Sequence, residues 1–108
     1  MTVYSGRKVD SGVGHQKVMI NGVRELSPKP SQDVYNHSPD GFNWGYGGSG
    51  PAQLALAILL DVTRDPEIAQ KYHQEFKWEF VATWGESWSI DDVQVSNWLR
   101  HRNDLVSV

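Results

Sequence analysis

The chain is predicted to fold as an α+β domain, with an N-terminal antiparallel β-hairpin or small sheet packed on about three helices. Three observations predict this. Two short apolar runs flank Asn21-Gly22, a nearly unbroken apolar stretch fills residues 52–62, and Ile68, Tyr72, Phe76 and Phe80 recur at intervals of one helical turn. At 108 residues a single core is expected, because a second would need more chain. Residues 1–108 therefore read as one domain: a hairpin region over 1–30, an ordered loop with a glycine-rich turn over 31–50, and helices over 51–62, 66–82 and 89–100.

Asn-Gly between apolar runs is the strongest short hairpin signal, since both residues accept the positive φ of a type I′ turn. Lys17-Val18-Met19-Ile20 and Val23-Arg24-Glu25-Leu26 are its expected strands, with Val3-Tyr4 a further extended piece. Beyond Ser27, Pro28, Pro30 and Pro39 break regular structure, and Ser38-Pro39-Asp40-Gly41 has the proline and glycine placement of a type I turn. Pro51 suits a first helical position, where its missing N–H costs no intrahelical bond, with Gly50 or Ser49 as the cap.

Asp65-Pro66-Glu67 opens the next helix with an N-cap, a proline and an acid at the positive end of the dipole. Its core-facing row at 68, 72, 76 and 80 leaves Glu67, Lys71 and Gln74 outside, and Trp78 falls among those polar residues by helical angle. Ser89 reads as the N-cap of the last helix, with Trp88 placed to staple onto Val93; Arg100, His101 and Arg102 complement its C-terminal end, and residues 105–108 form a short apolar tail.

Composition excludes several classes of function. The chain has no cysteine, so disulfides, thiolate catalysis and sulfur-ligated zinc are ruled out, and a reducing, cytoplasmic location is expected. The longest apolar run, residues 54–60, is far short of the roughly 20 residues that span a bilayer, and the first ten residues lack the apolar core of a signal peptide. The net charge of −3 is uneven: residues 1–30 hold five basic and two acidic side chains, and the rest five basic and eleven acidic. That balance argues against an extended nucleic-acid surface and leaves open a local anion site using Arg7, Lys8 or Arg24.

Gly45, Gly47 and Gly50 fit the pattern G-x-G-x-x-G, in which backbone N–H groups and a helix N-terminus meet phosphate. No clear strand precedes it, and Pro51 stands where a phosphate-binding loop would need lysine. Two uses of the turn follow: close packing of backbone under aromatic rings, which is favoured, or an anion cradle built from Gly47, Gly48, Ser49 and Gly50 with Trp44 or Tyr46 as a stacking face. Ser49 within Gly48-Ser49-Gly50 is better read as a helix cap than as a nucleophile, because Pro51 leaves the nucleophile motif incomplete. His37 is either a turn histidine bonded to local backbone or a ligand contact beside the glycine turn. The four histidines show no metal spacing, no cofactor motif is present, and no catalytic set assembles. Trp78 is expected either to touch the N-terminal hairpin or to anchor a partner, and Trp98 to join it on an acidic helical face.

At Asn36-His37-Ser38-Pro39, Gly41-Phe42, the run WGYGGSGPAQLALAILL over residues 44–60, and Phe76-Lys77-Trp78-Glu79, the chain resembles an uncharacterised family of small domains from phages, plasmids and other mobile DNA. The resemblance implies context rather than chemistry. Two functions are expected on this basis. One is a non-catalytic protein that sequesters a phosphate-bearing nucleotide signal in host cytoplasm through His37, Trp44, Tyr46, the glycine turn, Arg7 and Arg24. The other is a protein-binding inhibitor of a host defence enzyme that uses Trp78 and Trp98, with a purely structural turn. Self-association is expected of so aromatic-rich a small domain.

Overall fold

In the computed structural model the described residues are 1–107, with side chains described through Arg102. An antiparallel sheet of four strands, β1 (Val3–Arg7), β2 (Val18–Ile20), β3 (Arg24–Glu25) and β4 (Ser87–Asp91), has the order β3-β2-β1-β4. Four helices accompany it: α1 (Lys29–Val34), α2 (Ser49–Thr63), α3 (Pro66–Glu79) and α4 (Asp92–Ser107). The predicted α+β class holds.

The hairpin forms at Asn21-Gly22, with φ of 56° and 66°, and it pairs Ile20 with Arg24. Sheet residues alternate as a one-sided sheet requires. Tyr4, Val18, Ile20, Trp88 and Ile90 are buried, while Arg7, Ser87 and Ser89 are exposed. The buried face packs with α2, which is the central element: its residues from Gly50 to Leu59 are all buried. A helix enclosed on every side needs no polar stripe, and this explains its unbroken apolar run.

Three boundaries differ from the sequence reading. Residues 87–91, expected to lead into and begin the last helix, form β4, paired along β1 from Val3↔Asp91 to Arg7↔Ser87. Ser89 is therefore a strand residue, and Trp88 is buried while Val93 is exposed, so no staple forms. The helix is capped instead at Asp91, whose Oδ1 accepts from Gln94 N at 2.8 Å while Gln94 Oε1 accepts from Asp91 N at 3.1 Å, a reciprocal capping box. Residues 29–34, expected to be loop, form α1, because Pro30 sits in a first turn where its missing N–H is harmless. Finally, α3 ends at Glu79, short of residue 82, and a 3-10 turn over Val81–Thr83 follows. Asp65 caps α3 as expected, accepting from Glu67 N and Ile68 N. The expected apolar tail is helical through Ser107, and Val108 lies outside the described residues.

One polar side chain fixes the loop between α1 and α2. Gln53, fully buried on α2, accepts from His37 N and Ser38 N at 2.7 and 2.9 Å and donates to Ser31 Oγ and Tyr35 O at 2.9 and 3.2 Å. All four of its hydrogen-bonding positions are used, so it costs little to bury.

Candidate functional site

The glycine-rich turn leads into α2 and lies against α3. Among its glycines only Gly45 has a positive φ, 88°. The other three are there for space. A methyl group at 47 would overlap the benzo edge of Trp78, one at 48 would lie 2.5 Å from the Tyr46 ring, and one at 50 would lie 2.9 Å from Asn43 Cβ. Close packing, rather than backbone flexibility, explains all three: Gly47 and Gly48 lie under rings and Gly50 lies against Asn43. Gly48 is the N-cap of α2, which makes Ser49 the first helical residue and not the cap.

What the turn presents is Trp78. Its indole rests on Gly47, Lys77 Nζ sits 4.4 Å from the ring centroid, and the side chain remains 61% exposed. The surface that Trp78 meets is the glycine turn. Tyr46 is 48% exposed on the same turn, with Lys8 Nζ 5.8 Å from its ring; that ammonium donates to Trp44 O at 2.7 Å.

Beside this edge the two rings of His37 and His73 meet, Nε2 to Nε2, at 2.8 Å. His73 Nδ1 lies 2.7 Å from the Gln70 carbonyl, which can only accept, so this nitrogen carries the proton and neutral His73 offers Nε2 as an acceptor to His37. Burial, followed by the like charge of His73 and Lys77, lowers the His37 pKa from its ordinary 6.5. Burial likewise lowers His73, with the Gln70 hydrogen bond opposing it and Lys77 reinforcing it. Both imidazoles are thereby held neutral near pH 7. Tyr35, 52% exposed, packs on His37 with 4.4 Å between centroids and the rings tilted by 33°, and extends the strip.

A family model described as a family of unknown function (DUF6166) matches residues 4–101. The chain belongs to this family. No curated protein and no solved structure matches it. The DUF6166 match runs from β1 into α4 and so contains the glycine turn, the histidine pair and Trp78.

Other residues expected at a ligand site in this DUF6166 chain are dispersed. Trp44 is fully buried, packed edge-on against Trp88 at 5.5 Å with its Nε1 donating to Gly85 O, and offers no stacking face. Arg7 lies with Lys17 and Met19 on the outer face of the sheet, and Arg24 lines a cleft between the hairpin and α2. Neither borders the polar recess of about 180 Å³ beside Ser49 and Gly50, which is lined by Asp40, His15, Asn43 and Tyr46. Trp98 is not an exposed anchor: it packs on Tyr72, Phe76 and Phe80, donates to Glu79, and carries the Arg102 guanidinium 4.2 Å over its ring. Among the described residues no helix is long and apolar enough to cross a membrane.

Proposed function

We propose that the protein is a non-catalytic binding module that engages another protein through the edge formed by Trp78, Tyr46 and Tyr35. The observation that carries this reading is the state of Trp78, an indole left 61% exposed yet seated against Gly47. A large aromatic fixed before binding loses little entropy on contact, and tryptophan is enriched among residues that dominate interfaces. In line with the resemblance to domains of mobile DNA, the partner is a host defence enzyme, blocked by occlusion.

A sequestered nucleotide is the less supported ligand. The recess beside Gly50 is about 180 Å³, below the roughly 300 Å³ at which small-molecule pockets begin. Its carboxylate, Asp40, opposes an anion, and Arg7 and Arg24 are elsewhere.

Affinity capture from host lysate with wild-type and Trp78→Ala protein tests the proposal. A partner retained by the former and lost by the latter, with the melting temperature unchanged, is the expected result. Retention of every partner by a folded Trp78→Ala protein would contradict it. Sedimentation of the purified chain separates this outcome from self-association through the same edge.

A further inference from the structure

Arg24 and Arg64 come from different elements, one from β3 and one from the C-terminal cap of α2, and line the same cleft of about 320 Å³. Leu26, Pro30, Ala57 and Leu60 supply its apolar walls. Among the described residues neither guanidinium forms an ion pair. Arg64 Nε donates to the Asp61 backbone carbonyl at 3.1 Å, which orients the fork and leaves its two terminal nitrogens for another acceptor. The one acid of the cleft, Asp61, has Oδ2 engaged by the buried Tyr4 hydroxyl at 2.5 Å. Two arginines against one aspartate leave the cleft with an excess of positive charge in a chain whose net charge is −3.

The backbone adds an independent observation. Arg64 holds φ 56° and ψ 22°, the left-handed conformation in which a helix normally ends on glycine. An arginine there carries backbone strain that a glycine would avoid. In this conformation Arg64 lines the cleft.

We propose that this cleft, separate from the Trp78 edge and independent of its reading, binds a small ligand with a carboxylate or phosphate group on a compact apolar body. The oxyanion is held by Arg24 and Arg64, and the apolar part lies on Leu26, Ala57 and Leu60. Both anions share the bidentate chemistry that guanidinium recognises.

The test is an amide NMR titration of the full chain with phenylacetate, phenyl phosphate and the neutral phenylacetamide. Shifts centred on residues 24–31 and 57–64 with one or both anions, and none with the amide, are expected; the stronger anion identifies the natural headgroup. Arg64→Gly removes the guanidinium while easing the backbone, so it folds at least as well and should weaken binding about tenfold or more. Absence of saturable shifts with both anions, equal binding of the amide, or undiminished binding by Arg64→Gly would each overturn the proposal.

Discussion

Trp78 and Trp98 both lie on helices that meet solvent, yet they differ in what they touch. Trp98 joins the Tyr72, Phe76 and Phe80 cluster, so Trp98→Ala is expected to cost about 2–3 kcal/mol through the cavity it leaves. Trp78→Ala should cost less than about 1 kcal/mol, because most of its ring is already in water. Urea denaturation of the two variants checks the contrast, and equal losses would show that Trp78 is a core residue. Arg64→Gly, at a left-handed position, is expected to gain about 1 kcal/mol, read as a rise in melting temperature. Of these residues, Trp78 carried a signal in the sequence, since it broke the apolar phase of its helix. The pairing of His37 with His73 carried none: the two are far apart in sequence, and only the packing of the loop on α3 brings them together. Gln53 was hidden inside an apolar run, where nothing local marks a side chain that organises a distant loop.

At the scale of elements, the hairpin and the two long helices α2 and α3 were legible because their signals are local: a turn dipeptide, a proline at a helix start, a repeat at helical spacing. β4 was misread although Ser87-Trp88-Ser89-Ile90-Asp91 alternates strictly. A serine followed three residues later by an acid imitates a helix cap, and the pairing with β1 that decides the matter lies across most of the chain. The true cap, Asp91 with Gln94, was also present in the sequence as a capping box two residues later. Asp91→Ala is therefore expected to lower stability by about 1 kcal/mol, with faster amide exchange in the first turn of α4. Unchanged exchange there would mean that pairing with β1, and not the cap, holds the helix start.

At the scale of the molecule, the sheet and helices enclose α2, and the turn before α2 is pressed against α3, so the edge that carries Trp78 is set by global packing. The histidine pair ties stability to pH. Both folded-state pKa values lie below the ordinary 6.5, so between those values and 6.5 the unfolded chain binds more protons than the folded one. Stability from this pair is full above about pH 6.5 and is lost as the pH falls through that window. The urea midpoint of the wild type should fall over that range more steeply than that of His73→Gln, and parallel profiles would remove the pair from the account.

The most direct measurement is partner capture by Gly47→Ala. This change keeps every backbone N–H of the turn and places a methyl group where the Trp78 ring rests. If Trp78 held by the turn is the contact, Gly47→Ala should lose the same partner as Trp78→Ala while remaining folded. Retention of that partner by Gly47→Ala, with the ring displaced, would show that binding does not depend on how the glycine turn seats Trp78.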